Sequence, residues 1–379
     1  MSIDEFADLK LFITGPTYIR PEIRKAAALP EFGHRDREND KRSAPIFSGL
    51  KALAGLPDDY RSFLINGSGS TCMEASIRSL VADDEVVLNV TVGAFGDLYH
   101  TISLANGKLA VKLEFEPGSA IDPDVLVEAM DKHHPSVVTI THNETSTGVT
   151  NDIVSLCKLI RDNNAMPLVD GVSIFGGADL RLAEARPAIY CTATQKSLAL
   201  PAGFGIGFVG PDAMEKAERV TNKGHSSDIL KQLAKAESGQ CLTTPNTALL
   251  NQMAIQLDHI EHTEGVEARF ARHETMRDMV HGFVNGLDGF ELFAQEGYRS
   301  PTLTTVRCPK GVTAATLKNV LKERMRERGY LFDPGYGKLN TRLEEAGRAA
   351  FFRIGHMGDM TPAMLEEYLG ELGEELERL

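Results

Sequence analysis

Residues 192–203 read TATQKSLALPAG, and the stretch AIYCTATQ (188–195) has the apolar, β-branched look of a buried strand. Lys196 therefore falls at a strand end. A buried ammonium is costly unless it is paired or neutralised, so this lysine either reaches solvent or has a chemical partner. Taken alone it reads as a surface lysine. The sequence around it decides otherwise.

Six more apolar runs precede or follow it: SFLI (62–65), EVVLNV (85–90), AVKLEFE (110–116), SVVTITH (136–142), MPLVD (166–170) and GIGFVG (205–210). Helical patterns fill the gaps near 71–82, 94–105, 122–132, 151–163 and 211–219. Strands buried on both faces and separated by helix-length segments predict an α/β fold, with a mainly parallel seven-stranded sheet between two helical layers. Past residue 245 the chain is mostly helical, with strand-like SPTLTTVRCP and FFRIGHMG near its end. That predicts a smaller C-terminal α+β domain. The expected partition is an N-terminal arm over 1–20, a large domain over 21–259 and a small domain over 260–379.

Ligands of open α/β sheets sit at the carboxyl ends of the strands. Three motifs fall there. INGSGSTCMEASIRSL (65–80) runs from a strand through Ser68, Gly69, Ser70 and Thr71 into a helix. Glycines permit close backbone approach, and a helix N-terminus offers free N–H groups to an anion. Alone, the turn reads equally well as a capped βα connection. LVDGVSIFGG (168–177) ends a strand on Asp170, which alone reads as an N-cap or a solvated strand end. Lys196 is the third. An anion cradle, an acid and a lysine, in that order, are the anchors pyridoxal 5'-phosphate requires. The cradle takes its phosphate, Lys196 its aldehyde, and Asp170 keeps its ring nitrogen protonated.

The chain resembles the class V pyridoxal-phosphate aminotransferases, the group that includes alanine–glyoxylate, serine–glyoxylate and phosphoserine aminotransferases. The resemblance runs from ITGPTYIRPEI (13–23) to FRIGHMGDMTP (352–362). It implies fold type I and a homodimer with active sites shared across the interface. It implies that Ser68, Gly69, Ser70, Thr71 and Gln195 hold the phosphate, that Phe95 in VGAFGD stacks on the ring, and that Thr145 in HNETSTG bonds the ring oxygen. Thr243 and Thr244 match a segment that reaches the neighbouring subunit's phosphate. Arg353 matches the arginine that forks onto a substrate carboxylate. Lys196 would form the Schiff base and shuttle the α proton in a ping-pong transamination, with Asp170 supporting the ring.

Substrate choice is less sharply written. EFGHRDREND (31–40) carries His34 and Arg35. Phosphoserine enzymes use a similar pair for the substrate phosphate, but serine–glyoxylate enzymes carry one too. GHRD also echoes a stretch of aminoethylphosphonate aminotransferases, which usually have Asn where Gln195 stands. Phosphoserine enzymes place an arginine in the turn that here reads GSGST. HNETSTGV, TQK and FRIGHMG resemble the alanine/serine–glyoxylate branch, so a small amino acid (alanine or serine) and a 2-oxo acid (glyoxylate or pyruvate) are the expected partners. Aspartate, phosphoserine or aminoethylphosphonate is the alternative donor. Tyr18 is placed to line the pocket. A desulfurase or related lyase would show His before the lysine and a mobile-loop cysteine, whereas Cys308 lies in a strand-like stretch.

Composition bounds the rest. The 379 residues carry a formal net charge of −13 with no basic block, which argues against nucleic acid and anionic membranes. Five cysteines without CxxC spacing read as reduced core thiols of a cytoplasmic protein. MSIDEFADLK has no apolar run, so no secretory leader is expected. His259 and His262 lack a third ligand, so no metal is expected, and His356 reads as structural.

Overall fold

The computed structural model describes residues 9–379; the first eight residues of the expected arm lie outside the described residues. All seven expected strands form, each end within two residues of the reading: β1 (Arg61–Gly67), β2 (Val86–Thr91), β3 (Leu109–Glu114), β4 (Val137–Thr141), β5 (Met166–Asp170), β6 (Ile189–Ala193) and β7 (Gly203–Val209). They make one sheet in the order β1-β7-β6-β5-β4-β2-β3. Only β7 opposes its neighbours; the other six share one direction. Every residue of β4 and β6 is buried, as VVTIT and IYCTA require of strands covered on both faces. β3 is the exposed edge, and its Lys112 is ion-paired to Asp97 at 2.7 Å and Glu114 at 3.0 Å. Charge on an edge strand discourages pairing with other chains.

The helices that flank the sheet are α1 (Glu38–Ala54), α2 (Gly69–Leu80), α3 (Ala94–Ala105), α4 (Pro123–His133) and α5 (Ile153–Asp162). Asp122 and Asp152 cap α4 and α5 by accepting from the first free N–H groups. α1, α4 and α5 bury Leu50, Leu126 and Leu156 against Leu88, Val90, Val138 and Ile140. On the opposite face α2 and α3 bury Ile77 and Tyr99 against Ile65, Val87 and Val137. The two-residue alternation along each strand thus feeds two separate cores. α1 has no counterpart in the sequence reading. Pro45 lies inside it and its apolar pattern is weak.

After α6 (Thr247–Asp258) and a π-helical segment, His259–Glu264, the long α7 (Val266–Asn285) leads to a second, three-stranded antiparallel sheet. Its strands are β8 (Glu291–Leu292), β9 (Leu303–Arg307) and β10 (Phe351–Gly355), in that order. The last helix is α8 (Pro362–Leu376). The N-terminal arm joins this core. Lys10–Leu11 pairs in parallel with Tyr330–Leu331, and Phe12 stacks on Tyr368 with ring centroids 4.0 Å apart. The arm then runs to the carboxyl ends of the large sheet, so residues 13–17 cover the place where β1, β5 and β6 end.

Candidate active site

Strand register brings the site together. Asp170 lies opposite Thr141 of β4 and Cys191 of β6, so the ends of three adjacent strands are level. A cavity of about 290 Å³ opens there, lined by the β1–α2 turn (Ser68, Gly69, Ser70), by Phe95 and Thr145, by Asp170 and by Gln195 and Lys196.

The β1–α2 turn is shaped as an anion cradle. Gly67 sits at φ +136°, and a side chain there would collide with Thr71. Ser68 N donates to Thr71 Oγ1 at 3.2 Å, which closes the first turn of α2. The Ser68 and Ser70 hydroxyls are 2.9 Å apart. Thr71 accepts this bond, which leaves its O–H free to donate, and it is not among the residues lining the cavity. Ser68 and Ser70, whose hydroxyls bond each other, line the cavity beside the N–H groups of the α2 N-terminus, where the helix dipole favours negative charge.

Asp170 is 3% exposed, and its carboxylate accepts a bond from Val172 N at 2.9 Å. Burial raises its pKa to about 7; the Val172 bond opposes the shift and buried Glu144 adds to it. Lys196 is perturbed in the other direction. Burial is the main cause, with the Arg353 cation next, and its amine is lowered to about 8. Its Nζ donates to Thr14 O. Gly15, at φ +115°, is the residue that lets the arm come this close, since a Cβ there would lie 2.5 Å from Lys196 Nζ. Oε1 of Gln195 is buried with no hydrogen-bond partner among the described residues.

Arg353 projects from β10 toward the same place. Its Nη1 donates to Thr145 O at 2.9 Å, and its Nε and Nη2 reach Asp333 Oδ1 at 3.2 and 3.1 Å. Phe95 is held from behind. Its N–H and that of Gly96 donate to Glu144 Oε2 at 3.0 and 3.2 Å, while Ser146 serves Oε1. Glu144 and Asp333 escaped the sequence reading. The signal for Glu144 was a carboxylate inside the wholly buried NETST run; Asp333 had none, because its partners lie far away in the chain.

Other residues singled out in the sequence lie outside this cavity. Thr243 Oγ1 and Thr244 O accept from Asn66 Nδ2 at 2.9 and 2.6 Å. Arg35 donates to Gln240 Oε1 at 3.2 Å and Leu242 O at 3.4 Å. His34 and Tyr18 are half-buried and are not among the lining residues. His356 bonds Thr304 Oγ1 at 2.9 Å and is buried.

These residues fit pyridoxal phosphate. The cradle suits its phosphate, the partly neutral lysine suits its aldehyde, and Gln195, in the cavity lining, has amide N–H groups that a phosphate can accept. Asp170 is a buried acid with no cation bonded to it among the described residues, which a protonated ring nitrogen would supply.

A deeply buried acid and lysine flanking an anion cradle, on this sheet, define a coenzyme-dependent transferase. Comparison with known proteins makes that specific. The sequence model described as Aminotransferase class-V matches residues 68–326. An uncharacterized aminotransferase of Methanocaldococcus jannaschii is 32% identical, over 99% of this chain and 96% of its own length. A serine–glyoxylate aminotransferase of Hyphomicrobium methylovorum is 30% identical, over 94% of this chain and 86% of its own. Among solved structures, an alanine–glyoxylate aminotransferase from Nostoc sp. superposes with a TM-score of 0.89 at 24% identity, covering 100% of this chain and 97% of that one. The chain belongs to the class V aminotransferases, and it is a pyridoxal-phosphate-dependent transaminase of fold type I.

Proposed function

We propose that this enzyme moves the amino group of alanine or serine to glyoxylate or pyruvate in two alternating half-reactions, as a homodimer in the cytoplasm. The observation that carries this reading is the meeting, in one cavity, of Lys196, Asp170 and the N-terminal turn of α2. Kinship with the serine–glyoxylate enzyme favours a small donor.

Pyridoxal phosphate, when bound, supplies an aldehyde for the amino group and an electron-withdrawing ring that stabilises charge at the substrate α carbon. The chain's own residues do the rest. Ser68, Gly69, Ser70 and Gln195 bind the phosphate, and Phe95 and Thr145 hold the ring. Lys196 anchors the aldehyde; its lowered proton affinity leaves a useful fraction of free amine near neutral pH. Once displaced by the donor, the same amine would take the proton from the donor's α carbon as base and, as acid, deliver it to the former aldehyde carbon. Asp170 holds the proton on the ring nitrogen, and Arg353 orients the donor through its carboxylate. Thr243, Thr244, His34, Arg35 and Tyr18 lie outside this chain's cavity, and we assign them to the site completed across the dimer. A lyase that depends on a cysteine nucleophile is disfavoured, because burial pushes the Cys308 thiol up to about 12.

The test is a half-reaction screen. Coenzyme-loaded protein is mixed singly with alanine, serine, aspartate, phosphoserine and aminoethylphosphonate, without an oxo acid, and its visible band is followed. Rapid loss with alanine or serine supports the reading. Loss only with phosphoserine or aminoethylphosphonate transfers the function to that donor and makes His34 and Arg35 its anchors.

A further inference from the structure

Asp333 is 6% exposed, and both of its oxygens are occupied. Oδ1 accepts from Arg353 Nε and Nη2 and from Gly335 N at 3.1 Å; Oδ2 accepts from Thr14 N at 3.2 Å and Thr14 Oγ1 at 2.9 Å. The backbones are joined too, by a bond from Arg353 N to Asp333 O at 3.1 Å. One carboxylate thus grips the inner edge of the guanidinium and the N-terminal arm together. Thr14 O, on the same arm residue, accepts from Lys196 Nζ. A guanidinium has five N–H groups. Two of those of Arg353 go to Asp333 and one to Thr145 O, so one on Nη1 and one on Nη2 are left without a partner among the described residues. Asp333 fills the Nε–Nη2 edge, so a carboxylate is left to approach the guanidinium by its outer side, through the remaining Nη1 and Nη2 groups.

We propose that Asp333 is a positioning residue that turns the outer edge of Arg353 toward the substrate carboxylate and ties the arm, and through Thr14 the Lys196 amine, to that arginine. The proposal rests on the reading of Arg353 as the carboxylate site. Removing Asp333 has two opposed effects. It unmasks the arginine's charge, which strengthens attraction for a carboxylate, and it releases the clamp. The clamp dominates, because Asp333 accepts two of the three bonds that fix the guanidinium and Thr145 alone would not stop it rotating.

The experiment compares coenzyme-loaded wild type, Asp333→Ala, Asp333→Asn and Arg353→Ala. Calorimetry measures the affinity for propionate, a carboxylate with no amino group, and steady-state kinetics give KM and kcat for the amino donor. Arg353→Ala is expected to weaken propionate about tenfold or more, and Asp333→Ala about tenfold, with KM rising more than kcat falls. Asp333→Asn recovers most of the affinity, since its side-chain oxygen still accepts from the arginine edge. Unchanged propionate affinity in Asp333→Ala, with loss in Arg353→Ala, overturns the role of Asp333 and leaves Arg353 standing. No loss in Arg353→Ala removes the carboxylate site itself. Should Asp333→Ala fail to fold, the Asn variant decides through the apo-protein. The charged groups acting on Lys196 are Arg353, which lowers its proton affinity, and Asp333 and Asp170, which raise it. Neutralising Asp333 must therefore move the midpoint of coenzyme capture to lower pH, and an unmoved midpoint overturns the proposal.

Discussion

Two buried polar clusters lie within a few residues of each other in this protein, and they are built on opposite principles. Behind the lysine loop, Arg269 is fully buried and every contact is answered. It donates to Gly176 O at 2.8 Å, Glu264 at 2.7 Å, Asp359 at 2.9 Å and Ser197 O at 2.7 Å. Asp359 also takes Arg20 at 2.6 Å and Gln256 at 2.9 Å, and Arg272 serves the other oxygen of Glu264. Burial alone would raise the Asp359 carboxyl, yet Arg269 and Arg20 hold it below its ordinary value. In front of the loop, Asp170 and Lys196 are both displaced toward their uncharged forms, and Gln195 has an oxygen with no partner among the described residues. The first cluster joins the arm, the lysine loop and the C-terminal segment into one frame. The second is left unsatisfied where a ligand would complete it. In the first cluster opposite charges answer one another and hold structure; in the second an acid and an amine are both displaced toward their uncharged forms, as at a site.

The contrast breaks down if substitutions in the two clusters behave alike. Lys196→Ala has the largest expected effect: transamination falls by about three orders of magnitude or more, while the unfolding midpoint of the apo-protein holds or rises, as paired half-reaction and denaturant measurements will show. Arg269→Ala does the reverse in kind. It strands Asp359 and Glu264 and costs about 3–5 kcal/mol of stability, read from the same denaturant curves. Asp170→Asn lowers activity but stabilises the apo-protein by about 1 kcal/mol or more at pH 8. The sign follows from its raised pKa. The folded state holds the proton more tightly, so wild-type stability falls as pH rises from 3.8 to about 7, and the variant's advantage is present above that window and vanishes below it. The smallest effect is in rate. Capture of the coenzyme by apo-protein should quicken about tenfold per pH unit below 8 and level off above, as free Lys196 amine accumulates; stopped-flow absorbance reads this directly.

Much of the framework was legible because the strands are apolar, β-branched runs with short gaps, and because the Gly-rich turn, Asp170 and Lys196 each end one or follow it within three residues. The reversal of β7 was not, since GFGIGFV reads the same in either direction. Nor was the helix around Pro45. Asp333 and Arg269 were hidden for a common reason. Their roles come from partners brought from remote segments, Thr14 to Asp333 and Gly176 and Ser197 to Arg269, and no local spacing encodes such meetings. Thr71 shows the converse: a hydroxyl in the right motif turns inward to cap its own helix.

The central claim is that Lys196 is the covalent anchor of the coenzyme. Loaded protein would be reduced with borohydride, digested and mapped by mass spectrometry. The account predicts one coenzyme adduct, on the peptide containing Lys196, lost in Lys196→Ala. An adduct on another lysine, or none on a protein that remains active, would contradict it.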